Sequence, residues 1–382
     1  MATFASMAIQ RICDPMLPEL SRVFEAPIGD TAQVVSMFAI TYGLMQFVFG
    51  PIGDRWGKYK VVTLATLGCC VGSVLSALSE GLIFLVLARV GTAVSAAAII
   101  PLAMAWVGDQ VHYERRQETL AQVGLGTMLG MAAGQLFGGL LTDTLGWRWA
   151  FAMMAVLFCV VSALLWQHAK HIEAPTESFV ATHSFFGQLL QIARDPWARS
   201  LLSIALLEGA CVFGMLAVTA SHLHHTHAIS LTLAGGTTAL FGVGGMLYMA
   251  TAKYTIPRFG EIGLARYGGL TFGLSFLMIA FTPWWPLAIP ACLFAGFGFA
   301  MFHNTMQAKA TQMVPTARGT SVTLFAGALF FGQSLGVLVL AKLMAYADSA
   351  HVMAWDALFV TGLAWYFGYA LIHRNASHAD HA

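Results

Sequence analysis

The sequence predicts an all-α membrane protein with twelve transmembrane helices in two pseudo-symmetric six-helix bundles. Of its 382 residues, 58% are apolar and only 10% carry a charge. A soluble domain has about 25% charged residues, so this chain has too few charges to cover a surface in water. Most of the chain must therefore face lipid or other helices, and a lipid bilayer is its expected partner.

Twelve apolar stretches account for the predicted helices, because a span needs about 20 such residues to cross a hydrocarbon core about 30 Å thick. The first stretch is the weakest, since it is short and contains both Arg11 and Asp14. By residue number, spans 1 to 12 are roughly 1–18, 31–50, 61–79, 82–107, 118–141, 149–167, 198–221, 234–256, 263–282, 286–308, 319–343 and 354–373.

One hydrophilic stretch separates two sets of six spans. It predicts an N-terminal six-helix bundle at 1–167, a cytoplasmic linker at 168–197 and a C-terminal six-helix bundle with a short tail at 198–382. Basic residues set the orientation, because cytoplasmic loops are rich in Lys and Arg. With both termini in the cytoplasm, fourteen basic residues fall in cytoplasmic segments and three in outer segments. We therefore expect a multi-pass protein of the cell membrane, inner or plasma.

The two halves are related by a repeat with a shift of 203 positions. The shift carries Arg55–Gly57 onto Arg258–Gly260, and Arg115 onto Arg318. Six-span halves that repeat in parallel, about an axis along the membrane normal, are typical of one large class of secondary transporters.

Several other function classes are disfavoured by composition. A net charge of +1 without a basic stripe argues against a nucleic-acid partner. The six cysteines lie in apolar segments without metal-ligand spacing, so we expect neither a metal site nor a disulfide framework. The nucleotide-binding pattern G-x-x-x-x-G-K-[ST] is missing from the sequence, so we expect no ATP-driven step and no cofactor.

The stretch Gly50–Lys60 reads GPIGDRWGKYK and lies between two long apolar spans. A charged, glycine-rich stretch in that position predicts a tight turn on the water side of the membrane. It resembles the loop between helices 2 and 3 of the major facilitator superfamily (MFS), written G-x-x-x-D-R-x-G-[RK]-[RK]. The matching residues are Gly50, Asp54, Arg55, Gly57 and Lys58.

The MFS resemblance implies a conformational latch at this turn. Arg55 would pair with the acid that ends span 4, here Asp109, near the basic residues Arg115 and Arg116. Asp54 would face the N-terminus of span 11, whose partial positive charge attracts an acid. The alternative is a set of solvated loop charges, each contributing less than about 1 kcal/mol.

Span 1 contains a charged pair, Arg11 and Asp14, three residues apart on one helical face. A charge inside a span costs about 2.5–3.5 kcal/mol, so it normally faces a cavity or a partner. The two side chains could simply pair with each other. Alternatively, Asp14 takes up and releases a proton during transport, as the acid at a comparable place does in many proton-coupled MFS members.

Arg89 lies several residues inside span 4 and resembles the arginine that opens the family motif R-x-x-Q-G, although Thr92 and Ala93 replace the Gln-Gly pair. The resemblance implies that Arg89 stabilises the carboxylate of a cavity acid, most plausibly Asp14. The alternative is that Arg89 extends its charge to the outer headgroups.

A glycine stripe marks span 5, with one glycine in every four residues, and predicts close approach of another helix. It resembles the family antiporter motif g-x-x-x-G-P-x-x-G-G, in which Gln135 takes the place of the proline. We expect span 8 to be the packing partner, and Gln135 to line the cavity. The stripe consists of Gly126, Gly130, Gly134 and Gly138.

Several polar and aromatic residues in other spans are further candidates. Glu208 is a carboxylate inside span 7 and could serve as a second proton or cation site, without an evident partner. His303 and Gln307, one turn apart in span 10, suit hydrogen bonding to a polar substrate or a seam between helices. The substrate-lining candidates are Gln135, His303, Asn304, Gln307, Tyr42 and Phe213.

Four histidines at 222–227 fall in the predicted outer loop between spans 7 and 8. Such a run can bind a divalent ion, but a solvated loop is the expected state.

These features together predict a monomeric secondary transporter that moves a small-molecule substrate by alternating access, most plausibly by proton-coupled efflux (antiport). The coupling ion would be the proton, through Asp14, Arg11, Arg89 and Glu208. One alternative is a proton symporter or uniporter of a metabolite with the same fold. A remote alternative is a membrane-embedded enzyme or receptor, although we expect no enzymatic activity.

Overall fold

The computed structural model describes residues 1–169, 185–314 and 318–379, and all of their regular structure is helical. Within these described ranges, ten helices are long and apolar enough to cross a membrane. One of them, at Leu231–Phe281, is broken at Gly260 into two helices, and shorter helical segments lie at the N-terminus. The predicted all-α membrane fold is therefore confirmed.

The described chain divides into two compact units. The N-terminal unit comprises Met1–Ser184 and Ile229–Gly236, and the C-terminal unit comprises Phe185–Ala228 and Thr237–Ala382. In the first half of the chain the helices are α1 (Ala2–Arg11), α2 (Leu17–Val23), α3 (Ile28–Thr31), α4 (Gln33–Trp56), α5 (Lys58–Ala77), α6 (Leu82–Gln110), α7 (Tyr113–Thr144) and α8 (Trp147–Ala169). In the second half they are α9 (Phe185–Arg194), α10 (Pro196–Glu208), α11 (Gly214–His227), α12 (Leu231–Phe281), α13 (Ala288–Ala310), α14 (Arg318–Tyr346) and α15 (Ser349–Ala379).

The first span is interrupted where its acid lies. A 3₁₀ turn at Asp14–Met16 separates α1 from α2. Pro15 and Pro18 lack the N–H groups that would bond to the carbonyls of Arg11 and Asp14 in a continuous helix, so the chain departs from α-helical geometry here.

The charged stretch Gly50–Lys60 is more helical than the sequence predicts. Helix α4 continues through Pro51 to Trp56, and α5 begins at Lys58. Only Gly57 lies between the two helices, with φ 90° and ψ 121°. The turn is therefore a single residue, and its positive φ requires the glycine.

The C-terminal half repeats this geometry, because Gly260, 203 positions later, also has a positive φ of 60° and breaks α12.

The glycine stripe of α7 packs against α1, so the prediction that span 8 is its partner is wrong. A Cβ at Gly130, Gly134 or Gly138 would overlap a backbone carbonyl of α1 or of the residue after it, while one at Gly126 would lie 3.3 Å from a side-chain oxygen. The carbonyls belong to Phe4 and Ala8 of α1 and to Ile12, the residue that follows α1, in that order. Residues four apart meet residues four apart with both numbers rising, so the two helices run parallel in close contact.

The start of α12 contacts α7 beside the stripe, where a Cβ at Gly235 would overlap the Gln135 carbonyl, and the rest of α12 packs elsewhere. At its start Leu231 reaches Gly139, and further along Gly244 meets Leu293 of α13. The equivalent of the α1–α7 contact in the C-terminal unit joins α10 and the residues after it to α14. There, Gly332 approaches Leu206, and Gly336 approaches Ala210.

The histidine run is helical, contrary to the prediction of an outer loop. Helix α11 extends to His227, and Ala228 ends it in a left-handed conformation. His222 is buried, and its Nδ1 lies 2.8 Å from Ser349 Oγ at the start of α15.

Candidate functional site

Asp14 lies fully buried at the interruption between α1 and α2. Its Oδ2 is 3.6 Å from an Arg11 guanidinium nitrogen and 3.4 Å from the Gln135 side-chain nitrogen. The pairing of Arg11 with Asp14 was one of two alternatives that the sequence left open, and this ion pair is present in the structure. A salt bridge removed from water requires further hydrogen bonds to offset its desolvation.

Gln135 reaches this acid because of the glycine stripe. Glycines at 134 and 138 let the backbone of α1 approach α7, and Gln135 lies between them and is itself fully buried. An amide at this position donates to the carboxylate of Asp14 from the neighbouring helix. The family motif has proline here, which carries no side-chain donor.

Arg89 is fully buried, so the alternative of a side chain that reaches the headgroups is wrong. Its Nη1 donates to the Ile9 carbonyl at 2.8 Å, its Nε to the Val34 carbonyl at 3.4 Å, and its guanidinium lies 4.1 Å from the Phe38 ring centre. One side chain of α6 thus holds the backbones of α1 and α4. The cation–π contact adds attraction in a site without water.

The buried polar side chains around Asp14 form a polar cluster in the N-terminal unit, and several of their atoms have no hydrogen-bond partner in the described residues. Asp14 Oδ1, Arg89 Nη2 and both polar atoms of Gln10 are buried without a hydrogen-bond partner in the described residues. Buried polar groups are ordinarily hydrogen-bonded, and unpaired ones concentrate at functional sites. This cluster can therefore accept a proton or bind a polar group.

The C-terminal unit contains a second buried acid with a partner that the sequence did not reveal. Glu208 is fully buried, and its Oε2 lies 3.1 Å from His303 Nδ1. The Phe299 ring stacks on the imidazole with ring centres 5.0 Å apart. A π-helical segment, Gly209–Phe213, follows Glu208 directly. Because π-bulges are frequent at functional sites, the segment makes this part of the helix a candidate functional site.

The other substrate-lining candidates have varied surroundings. Tyr42 is buried and stacks with Phe38 at 6.1 Å, and Phe213 packs edge-on against Phe299 at 5.3 Å. Both aromatics therefore have packing partners within their own units. Asn304 is partly buried and Gln307 is exposed, so the Gln307 side chain is the more accessible of the two.

At the predicted latch, Lys58 takes the place expected for Arg55. Lys58 Nζ bonds to Asp109 Oδ2 and lies 3.3 Å from Asp54 Oδ1, whereas Arg55 is exposed. The prediction that Arg55 pairs with Asp109 is therefore wrong. Because α4 ends only at Trp56, Arg55 remains on the helix, while Lys58 opens α5 after the turn. Arg115 is exposed, and the side chain of Arg116 lies outside the described residues.

Sequence reasoning missed Asp356, a third acid in a span. It lies in α15, its Oδ2 is buried without a hydrogen-bond partner in the described chain, and its carboxyl lies near the thiol of Cys211 in the π-helical segment. The signal was available, since Asp356 lies inside the apolar stretch 354–373. The same rule that selected Asp14 applies to it.

A family comparison identifies the class of protein. The family model described as the Major Facilitator Superfamily matches residues 1–337. The chain belongs to the Major Facilitator Superfamily. It is therefore a secondary transporter with a small-molecule substrate, in a family of transporters and not of enzymes.

Curated relatives extend this assignment. An MFS-type transporter, YwfA of Bacillus subtilis (strain 168), is 23% identical over 83% of this chain and 75% of its own. A probable sugar efflux transporter of Pasteurella multocida is 21% identical over 93% and 88%. The quinolone resistance protein NorB of Staphylococcus aureus is 26% identical, over 39% of this chain and 32% of its own.

The fold of a solved transporter agrees closely. A bacterial homologue of the human lysosomal transporter Spinster superposes with a TM-score of 0.79 and 17% identity, over 97% of this chain and 94% of that one. The bacterial relatives imply a multi-pass protein of the cell membrane.

Proposed function

We propose that this transporter exports a small molecule in exchange for protons, and that Asp14 carries the coupling proton. The observation that supports the proposal is the fully buried Asp14 at a helix interruption, with Arg11 and Gln135 on one carboxylate oxygen and no partner on the other in the described residues. A carboxylate in this setting can exchange its contacts when it gains or loses a proton.

The proposed cycle uses the contacts of each protonation state. Ionised Asp14 attracts Arg11 and accepts from Gln135, which favours continued packing of α1 on α7. Protonated Asp14 loses the attraction of Arg11 and gains an O–H donor, so the same residues have a different set of favourable contacts. Arg89, bonded to the Ile9 carbonyl, would keep a positive charge near this acid in both states.

Glu208 and His303 form the second part of the proposed coupling path. The pair can hold a proton on either group, because carboxylate and imidazole both accept and donate one. Its burial in the C-terminal unit provides a second site at which substrate or proton can change the hydrogen bonding.

Efflux is the proposed direction because two of the relatives carry efflux or resistance in their names. The proposal includes both termini in the cytoplasm, following the fourteen-to-three distribution of basic residues, and the bundle boundaries at 1–167 and 198–382. We also propose that the transporter is a monomer. In the proposed latch, Asp54 contacts the other half of the chain.

The test uses purified protein in proteoliposomes with an imposed pH gradient, and the probes are norfloxacin and radiolabelled lactose. Movement of a probe against the proton gradient is expected, and Asp14→Asn should abolish gradient-driven movement. Thr31→Ser, a buried change outside the cluster, is the matched control. If Asp14→Asn left proton-driven transport unchanged, the assignment of the coupling acid would be wrong.

A proton symporter or uniporter with the same fold is the second candidate, favoured by the replacement of the antiporter-motif proline by Gln135. In the same vesicles, a symporter would move the probe along with the proton gradient, and a uniporter would respond only to the probe gradient.

A further inference from the structure

Arg266 is a basic residue inside the C-terminal unit that the transport mechanism does not use. It lies six positions after the break at Gly260, on the second half of α12, and is partly buried. Its guanidinium carbon is 5.1 Å from the ring centre of Trp365 on α15. A Cβ added at Gly368 would lie 2.9 Å from Arg266 Nε, so the side chain rests against the bare backbone of α15.

The charge of Arg266 lacks a compensating acid among the residues that the structure describes. Its Nε is buried without a hydrogen-bond partner. Glu261, the acid nearest to it on the same helix, is held by Lys309 at 2.7 Å. A basic residue near the end of a span normally directs its charge to a headgroup or to a partner of opposite charge. An anionic group outside the described residues would supply such a partner.

The surface beside Arg266 has the composition of a membrane interface. Trp365 is 49% exposed and Tyr369 is 55% exposed, and they lie one turn apart on one face of α15. The Tyr369 ring lies 4.3 Å from the exposed ring of His373, one turn further on. Tryptophan and tyrosine concentrate at the depth of lipid headgroups.

The depth of Arg266 suits a lipid phosphate. Six residues of helix correspond to a rise of about 9 Å from the break. An arginine with a long aliphatic stem can cover that distance by directing its charge towards the nearer headgroups.

We propose that Arg266 and Trp365 bind the phosphate of an anionic phospholipid in the groove between the second half of α12 and α15. Arg266 supplies the planar donors that match phosphate, Gly368 leaves room for its side chain, and Tyr369 and His373 contact the headgroup. An anionic lipid is favoured over a zwitterionic one because the groove contributes a positive charge and no acid among its described residues.

The test measures lipid retention on the full-length purified transporter by native mass spectrometry, after exposure to equal amounts of phosphatidylglycerol and phosphatidylcholine. The wild type should retain phosphatidylglycerol preferentially, and Arg266→Gln should reduce that retention about fivefold, which corresponds to roughly 1 kcal/mol for one basic residue at an anionic lipid surface. Arg258→Gln removes an exposed arginine on the other side of the break in α12 and should leave retention unchanged.

A second variant tests the geometry while the charge stays in place. Gly368→Ala introduces a Cβ against Arg266 Nε, so it should displace the guanidinium and reduce retention as well. Equal retention of phosphatidylglycerol by the wild type and by both groove variants would overturn the proposal. So would protection from thermal unfolding by inorganic phosphate alone equal to that given by phosphatidylglycerol, because the ligand would then be free phosphate.

Discussion

Glu261 Oε2 and Lys309 Nζ form an ion pair 2.7 Å long, immediately after the break at Gly260. The N-terminal unit contains the matching pair, in which Lys58 follows Gly57 and bonds to Asp109. The first residue after the glycine is basic in one half and acidic in the other, and each bonds to a residue near the C-terminal end of another helix. Each half therefore pairs the first residue after its glycine with an opposite charge, and the signs of the two charges are exchanged between the halves.

The exchange of signs gives a direct prediction. Glu261→Lys alone should destabilise the C-terminal unit, because it places two lysines together, and Lys309→Glu added to it should restore the melting temperature. Glu261 is about half exposed, so the coupling free energy should be about 0.2–1 kcal/mol. Thermal unfolding of the two single variants and the double variant measures it. A double variant less stable than either single variant would show that the pair is not independent of its surroundings.

The α1–α7 contact predicts a sharp difference between glycines of one stripe. Gly130→Ala places a methyl group on the carbonyl oxygen of Phe4, a backbone atom that cannot move away, and overpacking of this kind costs about 1–3 kcal/mol or more. Gly126→Ala meets only the Thr3 hydroxyl at 3.3 Å and is the matched control. Thermal unfolding in detergent should show a large loss for the first and little change for the second. Similar losses would contradict the described packing.

Much of the fold follows from the sequence because span position depends on local composition. Runs of about 20 apolar residues select helices in a bilayer regardless of their partners. The repeat of 203 residues also aligned Gly57 with Gly260, although the positive φ that both adopt was not predicted. The helical state of Pro51–Trp56 was not predicted. Proline and glycine disfavour a helix locally, and here tertiary packing overrides that preference.

The candidate site was harder to predict because its contacts join distant positions. Glu208 and His303 are 95 residues apart, so neither could indicate the other before the helices were packed. The same limit explains why the glycine stripe was assigned to span 8. Residue type showed that a close partner exists, while the identity of the partner depends on tertiary structure.

The buried pair in the C-terminal unit predicts non-additive effects. Glu208→Gln and His303→Gln each break one interaction, at 3.1 Å, so the double variant should lose no more proton-driven transport than the more affected single variant. Thr305→Ser, a neighbouring buried change on α13, is the control. Initial rates of norfloxacin or lactose transport in the proteoliposomes provide the measurement. Losses that multiply would indicate that the two residues act separately.

The proposed latch predicts that loss of the Asp54 charge affects the rate of turnover and the affinity for the probe to different extents. Asp54→Asn leaves the bond between Lys58 and Asp109 in place, so the melting temperature should change by little. Loss of the charge should slow turnover far more than it weakens binding of the transported probe, with Glu80→Gln as an exposed-acid control. Equal losses in turnover and binding would contradict the role of Asp54 in conformational change.

The break in α12 predicts a requirement for glycine that asparagine cannot meet. Gly260 has φ 60° and ψ 176°, a region that is essentially restricted to glycine. Asparagine tolerates the left-handed helical region, where ψ is near 45°, but not this one. Gly260→Ala and Gly260→Asn should therefore both cost about 1–3 kcal/mol, whereas Gly362→Ala, with no atom within 4 Å of its added Cβ, should cost little. Thermal unfolding of the three variants decides the matter, and full stability of Gly260→Asn would show that the backbone can relax to a left-handed helical turn.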